Sequence, residues 1–282
     1  MSELIVKQPK RSKDILRVIS EHGPLTIDLL QRMIEPEMTK RNLRKSLQVL
    51  RKKNLIESAQ SSNQSTFYLL NQSSPSRMSS ANILNCPAIQ TQKPLLRRQD
   101  WFHNQWCEYW IMNMKKRLPD SQIIREDSIS SHEIAMNVLQ IQKTDFDLRP
   151  DFLMSLTKGM AGETTYLAFE IERTRKSEQR LLRKFKKYMD GTRIDGLIYI
   201  CDSGRLSETI RLLYQNKLLA QTQRQKRFGE NFFLLSDSLD GGGPQLPRLF
   251  NAAGKPTSFE TWCGYLTSTK WIKRRDEDLR IW

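Results

Sequence analysis

The chain has 282 residues, and its 46 lysines and arginines against 31 acidic residues give it a formal net charge of +15 at pH 7. This length allows two domains with cores of their own, and the positive charge predicts a polyanionic partner, most simply nucleic acid. No apolar run is long enough to cross a bilayer and the N-terminus has no signal-peptide pattern, so we expect no membrane insertion and a cytoplasmic location.

Cysteine and histidine are too scattered to form a local metal motif. The four cysteines and three histidines show no paired spacing. This spacing argues against a zinc site and against a disulfide framework. Any metal chemistry must therefore depend on carboxylates, which favour hard divalent cations.

Residues 1–70 are predicted to form a winged helix-turn-helix domain. Apolar periodicity predicts helices at residues 12–21, 26–34 and 40–53, the third capped by Thr39. A strand at residues 55–57, a polar loop and a return strand at residues 66–70 would form the wing.

The third predicted helix is the candidate for contact with DNA. A recognition helix reaches bases near its N-terminus, while basic flanks contact phosphates. The alternative is a protein-interaction module with a solvated basic helix. The residues predicted to contact DNA here are Thr39, Lys40, Arg41, Asn42, Arg44 and Lys45.

Residues 71–97 are rich in Ser, Asn, Gln and Pro and are predicted to be a partly extended linker. The second predicted domain, residues 98–282, begins with an aromatic helix that contains His103. This histidine is either a structural residue or a site residue, with Gln105 and Glu108 as alternatives on the same helix. A strand at residues 121–124 follows, and Glu126 at its end is either a turn residue or part of a metal cluster.

The central stretch, residues 149–188, contains the strongest candidate site. It predicts a strand that ends at Asp151, a turn, and a second strand at residues 165–172. Alternation places Glu170 and Glu172 on one face, and pairing of the two strands as a hairpin would bring Asp151 alongside Glu170. Three carboxylates at one point are suited to Mg²⁺ or Mn²⁺. The alternative is that they are solvated charges on an edge strand.

A basic helix is predicted next, at residues 176–189. Lys176, Arg180 and Lys184 follow one another at spacings of four along one side, so this edge could hold a DNA backbone near the metal. A solvated basic face is the alternative. Further on we expect a buried strand at residues 194–201, a helix at 207–217, a strand at 231–236, a flexible loop at 241–244 and a basic, aromatic extension over 258–282.

One motif in this stretch resembles a known family. Arg149-Pro150-Asp151, followed by FEIERT at residues 169–174 and Lys176-Ser177, resembles the replication-relaxation family. That family includes the C-type plasmid mobilisation relaxases, which have a PD-(D/E)xK core. The resemblance covers roughly residues 100–205. It implies an α+β chain in which the winged helix precedes an α/β restriction-endonuclease-like domain with a mixed central sheet.

The same resemblance implies roles for individual residues. Asp151, Glu170 and Glu172 would be catalytic and would ligate Mg²⁺ or Mn²⁺. The family pattern has a lysine where this chain has Glu172, and Lys176 is the candidate for that lysine's role. His103 and Glu126 are additional candidates. The family has a histidine in the first helix of its nuclease core, as His103 is here, and an acid at the end of its first strand, as Glu126 is here.

The implied activity is a site- and strand-specific nick at a plasmid transfer origin, with other mobilisation or coupling proteins as further partners. We expect activated water as the nucleophile, while covalent attachment to a tyrosine stays open. One alternative is a restriction or transposition nuclease that cuts both strands. Another is a winged-helix plasmid regulator or replication factor with no catalytic activity.

Overall fold

The computed structural model describes residues 10–34, 38–61, 64–86, 100–141, 149–158, 163–219, 232–239 and 249–266. The chain divides into two compact units, Met1–Asn113 and Met114–Trp282. The division falls within one helix, α5.

In its described residues, the first unit combines four helices before α5 with an antiparallel sheet. Its described elements are α1 (Lys10–His22), β1 (Leu25–Thr26), α2 (Ile27–Met33), α3 (Lys40–Lys52), β2 (Ile56–Gln60), β3 (Thr66–Leu70) and α4 (Ser74–Leu84). Among the described residues β3 lies between β1 and β2, and both pairings are antiparallel. The three predicted helices and the two predicted strands are confirmed to within a few residues.

The core of the first unit follows from the apolar stripes of its helices. Leu43, Leu47 and Leu50 of α3 are buried at spacings of four and three, as expected for one helix face. The Thr39 side chain caps this helix by accepting a hydrogen bond from the Asn42 amide at 3.3 Å. Burial of the leucine face leaves the basic residues of α3 on the outside.

The segment predicted as a linker begins with a helix, so that prediction is wrong for residues 74–84. Helix α4 follows the N-cap residue Ser73 and has Pro75 in its first turn, where proline is tolerated. It contacts α1 and buries Ser80 and Ala81. Tertiary packing therefore overrides a composition that favours a loop. Residues 87–97 of the predicted linker lie outside the described residues.

Helix α5 (Trp101–Arg117) leads into the second unit, which is built on a mixed sheet. Its described elements are β4 (Gln122–Arg125), α6 (Glu126–Ile129), α7 (Glu133–Leu139), β5 (Phe152–Lys158), β6 (Glu163–Glu172), α8 (Glu178–Asp190), β7 (Gly196–Cys201), α9 (Gly204–Tyr214), a π-helical turn (Gln215–Leu219), β8 (Phe233–Ser236), β9 (Leu249–Asn251), β10 (Pro256–Thr257) and α10 (Phe259–Leu266).

The described strands of this sheet lie in the order β10-β9-β8-β7-β6-β5-β4. β6, β7 and β8 are parallel, and the remaining pairs are antiparallel. The predicted mixture of helices and a mixed central sheet is confirmed. Every residue of β7 is buried, as the apolar run GLIYIC indicates for a strand covered on both faces.

The two faces of the sheet are covered by different helices. The face that carries Glu170 packs against α8 and α9 through side chains such as Phe185, whose ring lies 5.2 Å from that of Tyr199. On the opposite face, Phe169 packs against Phe259 of α10, with ring centroids 6.4 Å apart. α10 also explains Gly196, because a Cβ there would lie 2.4 Å from the ring of Trp262.

Two predicted boundaries in the central stretch are wrong. The first strand begins after Asp151 instead of ending there, because the apolar run that starts at Phe152 is buried and forms β5. Helix α8 begins at Glu178, with Ser177 as its N-cap, so Lys176 precedes the helix. The predicted loop at 241–244 and the basic end of the tail, residues 267–282, lie outside the described residues. No helix in the described ranges is long and apolar enough to cross a membrane.

Candidate carboxylate site

The β5–β6 pairing brings Asp151 and Glu170 together. Phe152 pairs with Phe169, so Asp151 lies opposite Glu170 at the start of β5. The Asp151 amide donates to the Phe169 carbonyl at 3.0 Å, and the Asp151 side chain accepts a hydrogen bond from the Ile171 amide. The Asp151 carboxylate is therefore held in place by the backbone of β6.

Glu170 is almost completely buried, with 2% of its surface exposed. Its Oε2 accepts a hydrogen bond from Lys184 Nζ at 2.6 Å, and its Oε1 accepts one from the Tyr188 hydroxyl. Burial raises the pKa of Glu170 to about 7, although Lys184 opposes this rise. Glu170 therefore changes its charge close to neutral pH.

Glu172 is buried as well, with 3% of its surface exposed. Lys176 Nζ lies 2.8 Å from Glu172 Oε2, and the side chain of Lys176 is partly open to solvent. β6 is paired on both sides, with β5 and β7. The reading of these acids as solvated charges on an edge strand is therefore wrong for both glutamates.

Lys184 has a different position from the one expected from the sequence. Its side chain is only 12% exposed and points towards Glu170, so its ammonium group does not belong to an exposed surface that contacts a DNA backbone. Burial alone would lower the pKa of Lys184, but Glu170, Asp151 and Glu172 together raise it. Arg180, three residues after Ser177, is exposed as predicted.

These groups form a cluster of three carboxylates and two lysines, which we call the carboxylate site: Asp151, Glu170, Glu172, Lys176 and Lys184. All five lie on or beside one face of the sheet, next to α8. With every group ionised, the lysines leave one negative charge uncompensated. Carboxylate oxygens and a residual negative charge are the donor chemistry that Mg²⁺ or Mn²⁺ requires, so these residue types suit the expected metal. Their carboxylate oxygens do not all lie within 4.8 Å of one another, so a shared ion requires the side chains to move from these positions.

Two buried tyrosines border Glu170, and neither had been assigned to the site from the sequence. Tyr188 lies on α8, and Tyr199 lies opposite Glu170 in the β6–β7 pairing. Burial raises the pKa of both hydroxyls well above the ordinary value, and Glu170 adds to the rise. The Tyr188 hydroxyl bonds Glu170, whereas the Tyr199 hydroxyl has no hydrogen-bond partner in the part of the chain that the structure describes.

Removal of the two hydroxyls should have opposite effects. We expect Tyr188→Phe to lower the free energy of unfolding by about 1.5–3 kcal/mol, because a hydrogen bond to a buried carboxylate is lost. Tyr199→Phe should raise it by about 1 kcal/mol, because an unpaired buried hydroxyl is removed. Urea unfolding of both variants checks this, and equal losses in the two variants would contradict the different hydrogen bonding.

The additional candidates have distinct positions. The Glu126 side chain is exposed at the start of α6, and its amide donates to the Asp151 carbonyl at 3.0 Å. His103 is half-buried on the part of α5 that belongs to the first unit. The alternatives on that helix have structural partners, since Gln105 accepts from Thr26 at 3.1 Å and Glu108 bonds His22 at 2.9 Å.

The predicted DNA-contacting residues of α3 are all exposed. Thr39 is also the N-cap, and Lys40 forms an ion pair with Asp28, so these two have structural roles beside the predicted one. Arg41, Asn42 and Arg44 lie on the surface of the first two turns, and Lys45 follows them. A polyanion can therefore reach this helix edge.

Comparisons of the chain with protein-family models, with curated proteins and with solved structures found no match.

Proposed function

We propose that this protein is a metal-dependent endonuclease that nicks one DNA strand at a specific site, acting as a plasmid mobilisation relaxase at a transfer origin. The observation that supports the proposal best is the carboxylate site, in which Asp151 lies opposite Glu170 and Glu172 follows on the same face. Buried carboxylates are costly unless they are paired or bind a cation. The resemblance of the same residues to the replication-relaxation family supports this reading.

We also propose family folds for the two units. In the first, the order α1-β1-α2-α3-β2-β3 with an antiparallel sheet supports a winged helix, with α3 as the recognition helix. In the second, a mixed sheet with the acids on β6 and at the start of β5 supports a restriction-endonuclease-like core.

Asp151, Glu170 and Glu172 are the residues that would hold the metal. Mg²⁺ or Mn²⁺, when bound, supplies a Lewis acid for the phosphodiester and lowers the pKa of a coordinated water. Lys184 and Tyr188 orient Glu170, and the backbone of Ile171 orients Asp151. Lys176, partly open to solvent, is the residue that can stabilise charge on a phosphate.

We propose water as the nucleophile and infer that neither Tyr188 nor Tyr199 attacks the phosphate. Tyr188 and Tyr199, the tyrosines next to Glu170, are buried and their pKa values are raised well above the ordinary value. A tyrosine nucleophile must reach the phosphate and lose its proton, and both conditions are unfavourable for these two side chains.

The test is incubation of the protein with supercoiled plasmids that carry or lack a candidate transfer origin, in Mg²⁺, Mn²⁺ or EDTA. We expect metal-dependent conversion to open circles only for the plasmid with the origin. Asp151→Asn and Glu170→Gln should each reduce the rate by at least about 100-fold, because the metal loses a charged ligand.

Asp127→Asn is the matched control, because Asp127 is an exposed acid in the same unit. It should nick the plasmid at the wild-type rate. Circular dichroism checks that the site variants are folded. Linear product would instead indicate a nuclease that cuts both strands, and nicking that persists in both site variants would contradict the proposed site.

A second candidate function is a DNA-binding plasmid regulator or replication factor without catalysis. It is favoured by the pairing of each buried glutamate with its own lysine, Glu170 with Lys184 and Glu172 with Lys176. Such pairs also stabilise a fold that binds no metal. A plasmid that stays intact in both metals and is bound equally well by wild type and site variants would support this function.

DNA recognition by α3 predicts two separable effects. Arg44→Ala should remove a phosphate contact, so the slope of log affinity against log salt should fall in magnitude by about 0.9. Asn42→Ala should leave the slope unchanged and reduce the preference for the specific site by about 1–3 kcal/mol. Titration of specific and unrelated duplexes at several salt concentrations measures both effects.

Lys13→Ala is the control for these variants, because Lys13 is an exposed lysine on α1. Its salt slope should equal that of the wild type. If Arg44→Ala behaves like Lys13→Ala, α3 does not contact the DNA backbone through this residue.

A further inference from the structure

A cleft lies beside the carboxylate site, and of its lining residues the proposed mechanism uses Lys176. It has a volume of about 230 Å³ and is bordered by the residues before α8, by the start of α8, by α9 and by the π-helical turn. Three leucines, three basic residues and one acid contribute to its lining: Leu181, Leu212, Leu213, Arg175, Lys176, Lys217 and Glu178. We call it the leucine cleft.

The leucine cleft is connected to the carboxylate site through Lys176. This lysine lines the cleft, and its ammonium group lies 2.8 Å from Glu172 Oε2. A ligand in the cleft would therefore contact the same ammonium group that pairs with Glu172, which is a proposed metal ligand. This places the cleft within reach of a DNA strand whose phosphate is at the carboxylate site.

The lining combines two kinds of chemistry. Leu212 is a large apolar side chain that is 42% exposed, so the wall of the cleft offers apolar surface to a ligand. Arg175 and Lys217 provide positive charge at the rim. Lys217 faces Glu178 at 3.8 Å, but both side chains are more than half exposed, so this pair is weak and the ammonium group can bind a phosphate instead.

The volume of the cleft limits the size of the ligand that it can hold. Sites for drug-sized molecules have volumes of about 300–1,000 Å³, so about 230 Å³ suits one ring system. A base within a duplex has its faces covered by its neighbours, and only an unpaired base can place its ring against an apolar wall. An apolar wall with cations at its rim therefore matches one unpaired nucleotide.

We propose that the leucine cleft binds one unpaired nucleotide of the DNA strand held at the carboxylate site, with the base against Leu212 and the phosphate at Arg175 and Lys217. The proposal rests on the proposed nuclease function and adds that the strand is melted beside the cleavage site. By binding that nucleotide, the cleft would help to determine which of the two DNA strands is cleaved.

The test compares binding of a single-stranded thymidine 12-mer, the same 12-mer in duplex form, and a 12-mer of abasic residues, all in EDTA at fixed salt. We expect the wild type to bind the thymidine strand about fivefold more tightly than the abasic strand. Leu212→Asp should remove this preference. Lys217→Ala should weaken binding of both strands alike, because they share the phosphates.

Two controls match these variants. Ile134→Asp changes an exposed apolar residue on α7, and Lys255→Ala removes an exposed lysine in the turn between β9 and β10. Both should keep the wild-type preference. If Leu212→Asp also keeps the preference for the thymidine strand, the cleft is not a nucleotide site. The same conclusion follows if this variant binds the duplex and the single strand with equally reduced affinity.

The plasmid assay separates this proposal from the nuclease proposal. Nicking by the wild type, together with an unchanged base preference in Leu212→Asp, would overturn the cleft proposal alone. Loss of the preference in Leu212→Asp with a plasmid that stays intact in Mg²⁺ and Mn²⁺ would support nucleotide binding by the cleft and overturn the nuclease proposal.

Discussion

Replacement of Lys184 by methionine is expected to lower the free energy of unfolding of the second unit by about 3–5 kcal/mol at pH 8. Lys184 is the cation paired with Glu170; the glutamate is buried, and the lysine side chain is only 12% exposed. Methionine fills much of the same volume but leaves the carboxylate without its charge partner. Since Lys184 opposes the rise in the pKa of Glu170, that pKa should rise further in the variant. The loss should therefore be smaller at pH 6, where Glu170 can take up a proton.

This loss is measured by urea unfolding of the second unit, monitored through pulsed hydrogen exchange of peptides from β6 and β7. Lys186→Met is the matched control, because Lys186 is an exposed lysine on α8, and we expect it to change stability by less than about 0.5 kcal/mol. The double variant Lys184→Met and Glu170→Gln should recover most of the loss, because it removes the buried charge. A double variant as unstable as Lys184→Met would contradict a cost that arises from the uncompensated carboxylate.

Most of the elements could be predicted from the sequence because their signals are local. The leucine spacing of α3 and its Thr39 cap, and the apolar run of β7, define these elements without tertiary information. Helix α4 could not be predicted in the same way. Its serine-rich sequence has little helical preference, and contact with α1 stabilises it.

The carboxylate site was only partly predictable. The alternation of β6 places Glu170 and Glu172 on one face, and the hairpin brings Asp151 to Glu170 even though β5 begins after Asp151. The sequence did not decide which side of the strand is covered. Burial of Glu170 depends on α8 and β7, which pack on it from later in the chain.

The position of Lys184 could have been recognised from helix spacing. Lys184 lies three residues after Leu181 and four before Tyr188, and both of these are buried. Residues at these spacings share one helix face, so Lys184 belongs to the buried side of α8. Its place in a series of basic residues suggested an exposed edge instead. A lysine on an apolar face opposite a glutamate on a buried strand is the pattern that indicates an internal ion pair.

Glu170 should make the stability of the second unit fall as pH rises through neutrality. Burial raises its pKa from 4.5 to about 7, so between these values the folded chain binds more protons than the unfolded chain. The contribution of Glu170 is therefore complete below pH 4.5 and is lost as the pH rises through about 7. Lys184 itself keeps its proton throughout this range, because its pKa is raised from an ordinary value of 10.5.

The measurement is the free energy of unfolding of wild type and Glu170→Gln in EDTA at several pH values from 4.5 to 8. Each pH unit within the range corresponds to about 1.4 kcal/mol, so the difference between the two proteins should change by about 3 kcal/mol. Glu133→Gln is the control, because Glu133 is an exposed acid on α7 whose carboxylate is solvated before and after unfolding. Parallel curves for wild type and Glu170→Gln would mean that Glu170 is ionised throughout this range in the folded protein. The carboxylate site would then be a fully charged network that has no proton to lose before a metal binds.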